Sequence, residues 1–417
     1  MTLASFRSCT SFPGGTPIPY GGSTQSKDIE FIGEGLPGAP YEIFENSNVL
    51  ARGNFNLSGA FVERLQNLSS GSHLFKLREH GSALPTSDWA LRIRTSRPIG
   101  SILVGLSPWG LTLNDDGSRG YVPVGGKLQV IDTDNSTLLA PINIPKLISS
   151  WGMALTHNGA RAFVLNSSDT LVVDLTTSTV IATLPIHGTW IVPARDGSKV
   201  FISNYAQHAL AVVDSNSFLF SNIPVGQLPR QLATSLDGNR VYVAHSSNAV
   251  AVVDARTLVV LKQIHTGFPV YGLAVSPDGN HVYAAGFLTT HSVLVKLDSS
   301  TGLTIWTLNT GTETRGLAIN HSGTRVYCCY RDQESKVITI DALSSQILAT
   351  AQLPVGPMSL EISPDDQNAY VPCLDSGIVS VIDLAPGASN AQAQDVSSLA
   401  GESVERIPKE RFPGGVD

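Results

Sequence analysis

Seven side chains recur at one register of this chain. Trp109, Trp151, Thr189, Arg230, Tyr271, Arg315 and Met358 each stand eight residues ahead of a recurring turn position, and Trp190 follows one residue further on in its own copy. Three of the five tryptophans thus gather beside two arginines and a tyrosine. Indole rings stack on planar and sugar groups, and guanidinium forks pair with carboxylates and phosphates. Asn166, Asn204 and His245 open connections that would add polar groups to the same face. Two readings fit the aromatic and arginine set: the rim of a binding mouth, or tryptophans packed between neighbouring sheets beside solvated arginines. Asn166, Asn204 and His245 read equally well as ordinary loop residues.

Metal and nucleophile chemistry find less support. His187, His208, His245 and His291 fall in connections, no two have the i, i+4 spacing of a helix face, and carboxylates are sparse nearby. They read as loop histidines without a shared metal. Asn114-Asp115-Asp116-Gly117 lacks the twelve-residue span and distal Glu of a calcium loop and reads as a turn. His73 and His80 read as surface residues. No GxSxG, Walker A or HExxH element occurs. No metal and no cofactor is expected. Cys9, Cys328, Cys329 and Cys373 fit neither a disulfide framework nor a paired zinc motif and read as buried thiols. Cys328 and Cys329, being adjacent, leave a strand on opposite faces, and proximity of either to Cys373 in the next repeat implies no bond.

The elements that position this register are repeats. Turn positions fall at Gly117, Gly159, Gly197, Gly238, Gly279, Gly323 and Asp366, spaced by 42, 38, 41, 41, 44 and 43 residues. Four residues after each comes an aromatic: Tyr121, Phe163, Phe201, Tyr242, Tyr283, Tyr327 and Tyr370. Each copy then reaches an aspartate, Asp132, Asp174, Asp214, Asp254, Asp298, Asp341 or Asp383, which often opens an Asp-x-x-Ser/Thr turn. One copy therefore reads as four strands: an apolar triplet such as Leu273-Ala274-Val275, a turn such as Ser276-Pro277-Asp278-Gly279, an aromatic strand, an alternating strand such as Val250–Asp254, and a last strand such as Val259–Ile264.

Four strands per repeat of this length predict a β-propeller, with a β-solenoid as the alternative. The seventh copy stops after Ile378–Asp383, while an orphan last strand, Ser101–Gly105, precedes the first. The N-terminal strand is expected to complete the last sheet and remove an open edge. Ser276–Tyr283, Asp237–Val243 and Val250–Asp254 resemble YVTN-type repeats of YncE-like seven-bladed propellers, over about 98–385. Asp366 in place of the turn glycine, and Val192-Pro193-Ala194 in the third copy, depart from the pattern. The resemblance implies a functionally mixed family, and fold analogy places ligands at the axial mouth.

Residues 28–97 read as short strands (Phe31-Ile32, Tyr41–Phe44, Val49–Ala51, Ala60–Val62, His73–Leu77, Trp89–Ile93) of a small β-sandwich. Gly35–Pro40 and Gly71–Leu74 resemble bacterial Ig-like domains of surface adhesins. Residues 1–27 and 386–417 read as flexible segments. The fold class expected is all-β: a seven-bladed propeller with an N-terminal Ig-like sandwich.

Of 417 residues, 42% are hydrophobic and only 15% charged, enough apolar material for a large core. A net charge of −7 gives no support for nucleic-acid binding. No apolar run approaches a membrane span, and the first residues lack the apolar region and cleavage site of a Sec signal. The family resemblance nonetheless implies an extracytoplasmic setting. The function expected is non-enzymatic: a mouth presented to a small molecule, glycan or protein, with the Ig-like domain as spacer or second adhesive unit. The alternative is a propeller lactonase or lyase acting on a small cyclic or anionic substrate, with Arg230 and Arg315 holding charge and His245 or His187 moving a proton.

Overall fold

The computed structural model describes residues 5–11, 23–24, 29–45, 48–66, 71–79, 87–93 and 100–384, apart from 149, 158, 289–290, 312–313 and 332–334. The expected tail 386–417, His80, the His73 side chain and most of 1–27 lie outside the described residues. Among these residues the chain is all-β, with a single short 3-10 turn at Tyr205–Gln207.

Seven four-stranded antiparallel sheets account for the repeats. The fourth is typical: Pro229–Thr234, Arg240–His245, Ala249–Asp254 and Val260–His265 pair in chain order. The turn glycines all take left-handed backbone, with φ between 65° at Gly159 and 71° at Gly238, where a side chain would be strained. Asp366 adopts φ 58° in the seventh copy. An aspartate tolerates that region better than most residues. The aspartates closing the third strands hold the next turn: Asp174, Asp214, Asp254, Asp298 and Asp341 accept from the backbone N–H three residues on, at 2.6–2.9 Å.

All seven repeat aromatics are buried, and they sit in clusters that join one sheet to the next. Tyr242, Val252 and Leu273, for example, belong to the core between the fourth and fifth sheets. The last of these clusters joins Tyr370, Val379 and Val381 of the seventh sheet to Leu111, Leu113 and Val122 of the first. The seventh sheet comprises Glu361–Ile362, Asn368–Cys373, Ile378–Asp383 and, from ahead of the first repeat, Ser101–Leu103. Ile378 pairs with Leu103 and Ser380 with Ser101, and the N–H groups of Val104 and Gly105 both reach the Gly377 carbonyl. The unpaired edge foreseen from the repeat count is thereby filled.

Ahead of the repeats, Ser5–Ser11, Ile29–Glu34 and Ala60–Leu65 form one sheet. Ser23–Thr24, Ser87–Ile93, Gly71–Glu79, Pro40–Glu45 and Asn48–Asn54 form another. One core of Cys9, Phe31 and Phe61 with Tyr41, Ile43 and Phe75 joins them. The β region therefore begins earlier than the boundary at 28: Cys9 pairs with Phe31, and Ser23–Thr24 runs parallel to Arg92–Ile93. These two strands are mostly Ser and Thr, so composition reads them as tail.

The four cysteines are free and buried. Burial pushes the thiols of Cys9, Cys328 and Cys373 up to about 12. Cys329 and Cys373 share the core between the sixth and seventh sheets, while Cys328 faces the fifth.

Candidate functional site

The loops entering the innermost strands converge at one end of the hub. Trp109, Trp151, Thr189, Arg230, Tyr271, Arg315 and Met358 all line one cavity of about 80 Å³, together with Trp190, His187, Tyr205 and Gln231. One register in sequence has become one ring in space, because each repeat presents the same loop at the same end of its sheet.

Two pairings organise the lining. The Trp109 and Trp151 rings lie 4.5 Å apart between centroids, tilted by 41°. The Arg230 guanidinium lies 4.3 Å from the centroid of the Tyr271 ring, a cation–π geometry. Backbone anchors hold these residues: Ser359 Oγ donates to the Trp109 carbonyl at 3.2 Å, Ser203 Oγ donates to the Arg230 carbonyl, and Thr189 Oγ1 donates to the Pro229 carbonyl at 3.0 Å. Gln231 ties three sheets, accepting from Leu273 N–H and donating to the Leu317 carbonyl, both at 3.0 Å.

The position following the register carries a signal that sequence reading passes over. It is Gly110, Gly152, Gly272 and Gly316 in four copies, Ser359 in another, and Trp190 and Gln231 in the third and fourth. A Cβ at Gly316 would stand 2.8 Å from Ser359 Cα, and one at Gly110 would stand 3.1 Å from Gly152 Cα. At these two glycines neighbouring inner strands come too close for a side chain. At Gly152 a Cβ would meet nothing within 4 Å, and the third and fourth copies carry large side chains, both of which line the cavity. Tyr205, on the short 3-10 turn, had no repeat signal to mark it.

Asn166, Asn204 and His245 lie outside this lining. Asn166 accepts from Ile148 N–H at 2.9 Å and donates to Asp169 Oδ1 at 2.8 Å. Asn204 Nδ2 donates to Asn222 Oδ1 at 3.1 Å. His245 Nε2 pairs with Gln263 Oε1 at 2.9 Å while Nδ1 accepts from Ser247 N–H at 3.3 Å. Desolvation holds the His245 pKa below its ordinary value. All three are buried and brace connections.

Of the remaining histidines, His187 reaches the cavity, whereas His208 Nδ1 accepts from Leu228 N–H at 3.1 Å. Among the described residues no three His, Cys, Asp or Glu come together to hold a metal. Asn114 and Asp116 hold their own turn, accepting from Arg119 N–H and Ser118 N–H at 2.8 Å.

The cavity thus presents indole and phenol faces with two guanidiniums and no carboxylate in its lining. It suits a flat or sugar-like group bearing negative charge.

No family model and no curated protein matches the chain. Solved structures do. Kuenenia stuttgartiensis hydrazine synthase aligns with a TM-score of 0.60 at 16% identity, covering 74% of this chain and 99% of that chain. The Myceliophteria thermophila Cps50 (Swd1) β-propeller domain aligns with a TM-score of 0.58 at 10% identity, covering 69% and 99%. The fold is a β-propeller. At such identities the likeness carries architecture alone. Among the described residues no helix is long and apolar enough to cross a membrane.

Proposed function

We propose that this propeller is a non-enzymatic binding protein. Its axial mouth receives a planar or sugar group carrying a carboxylate or phosphate, borne by a small molecule, a glycan or a protein. The observation that carries this is the convergence of seven register-matched residues on one cavity, with Trp109 stacked near Trp151 and Arg230 over Tyr271. Arg230 and Arg315 in the lining supply charge, and the rings supply contact area at low entropic cost.

We further assign the seven sheets to one seven-bladed ring of YVTN type, on the motifs of residues 98–385, and the N-terminal pair of sheets to an Ig-like sandwich acting as spacer or second adhesive unit. The resemblance to surface proteins supports an extracytoplasmic setting.

The test is a titration of the protein against neutral and acidic sugars, the latter bearing uronate or phosphate groups, followed by tryptophan fluorescence. Acidic members should bind and their neutral counterparts should bind more weakly, with Arg230→Gln removing the difference. Equal binding of neutral and acidic members, or no binding of either, rules the proposal out. A lactonase or lyase is the second reading, favoured by His187 in the lining. It requires turnover of a lactone or acidic sugar that disappears in His187→Ala.

A further inference from the structure

Beneath the mouth lies a second cavity of about 140 Å³. Trp151 and Trp190 belong to both, so the two spaces adjoin at these residues. The deeper lining is otherwise apolar or neutral, from Leu111, Thr112 and Met153 to Leu360, with one exception, Glu361.

The repeat shows how unusual that carboxyl is. Five residues ahead of each turn position stand Thr112, Ala154, Val192, Ala233, Ala274, Ala318 and Glu361. Thr112, Ala154 and Val192 line the same cavity as Glu361, so four copies of this register border it. Six copies place a neutral side chain there and the seventh places an acid. No described residue donates a hydrogen bond to its carboxyl or forms a salt bridge with it. His321 and Arg195 act on it through space and favour the charged form, but desolvation outweighs them and raises its pKa to about 7. A half-buried carboxylate with no hydrogen-bond donor, lining an otherwise apolar or neutral cavity, is held at a cost that a bound cation would relieve.

We propose that this cavity is a binding subsite for an organic ammonium group, paired with the Glu361 carboxylate and walled by the indoles of Trp151 and Trp190. Aromatic faces attract cations most strongly where water is excluded, and a carboxylate at the end of such a space fixes the sign of the guest. The cavity can hold several water-sized groups, enough for a short aliphatic amine. The inference does not depend on the anion reading of the mouth, since Arg230 and Arg315 line only the upper space.

The experiment compares butylammonium with butanol by calorimetry and tryptophan fluorescence on the full chain. Butylammonium should bind, and butanol, of the same shape without charge, should bind at least about tenfold more weakly. Affinity for butylammonium should rise with pH up to about 7 and then level off, as Glu361 ionises in the field of His321 and Arg195. Glu361→Gln should remove the preference for the ammonium. Glu361→Ala should do the same, and it places at this position the residue that Ala154, Ala233, Ala274 and Ala318 already supply, so folding is preserved. Arg230→Gln should leave butylammonium binding unchanged, which separates this subsite from the mouth. Absence of binding at millimolar butylammonium, equal binding of butanol, or undiminished binding by both Glu361 variants would overturn the proposal.

Discussion

Trp109 and Trp151 sit in consecutive sheets, forty-two residues apart in sequence, yet their ring centroids are 4.5 Å from each other. Neither ring is fully buried, and both face the cavity rather than an inter-sheet core alone. An aromatic pair of this kind contributes about 0.5–1.5 kcal/mol. Trp109→Ala is therefore expected to lower the melting temperature by a few degrees while weakening acidic-sugar binding by about tenfold or more. Calorimetry and fluorescence titration on the same sample check the two effects separately.

Asp366 and His321 form the analogous tie at the far ends of the sixth and seventh inner strands. The Asp366 carboxylate accepts from His321 N–H at 2.7 Å and Ser322 N–H at 3.0 Å, and lies 2.8 Å from His321 Nδ1. Asp366→Ala loses these bonds and retains a Cβ in left-handed backbone, for a loss of about 2–3 kcal/mol. Asp366→Gly loses the bonds but relieves the backbone, and should be the milder of the two. Urea denaturation of both variants gives the order.

Acid should unfold the propeller through its turn aspartates. A hydroxyl bond from Thr176 and the Thr177 N–H hold Asp174 down at about 2, below its ordinary 3.8. Hydrogen bonds from Ser217, Thr257, Ser300 and Ser344 likewise hold Asp214, Asp254, Asp298 and Asp341 below the usual carboxylate range. Such groups stabilise the fold above their unfolded pKa, and that stability is lost as pH falls through the folded values. The melting temperature should drop steeply from pH 4 towards pH 2, and Asp254→Asn should make the drop shallower. Circular dichroism melts across that range are the measurement.

Glu361 has the opposite sign. Its folded pKa of about 7 lies above its ordinary 4.5, so the folded state binds the proton more tightly than the unfolded chain does. Stability associated with this group is full below pH 4.5 and declines as pH rises to about 7, by about 3 kcal/mol in all. Glu361→Ala should thus stabilise the protein at pH 8 relative to wild type and do so far less at pH 4. Equal effects at both pH values would show that the carboxyl is not desolvated.

Ring closure can be broken at one residue. Ile102 is 5% exposed and packs among Tyr370, Val379 and Val381. Ile102→Glu places a charge in that core and should cost at least about 3 kcal/mol, whereas Leu103→Glu, on the exposed side of the same strand, should cost little. A comparison of chemical denaturation midpoints distinguishes the two faces.

The amino-acid sequence alone determined the repeat, its strands and its closure, because each rests on local rules. Left-handed backbone selects Gly117 or Gly279, an Asp-x-x-Thr turn selects Asp298, and burial between sheets selects Tyr283. It also determined which residues share the mouth, since a fixed offset within a repeat becomes a fixed height on the ring. Tertiary structure decided what a fixed offset cannot express. It drew Asn166, Asn204 and His245 into bracing hydrogen bonds away from the cavity. It brought in Tyr205 and Gln231, and it set Glu361 in a cavity that Trp151 and Trp190 also line. Those outcomes depend on contacts between sheets, where the nearest neighbour of a residue is set by packing across the hub rather than by distance along the chain.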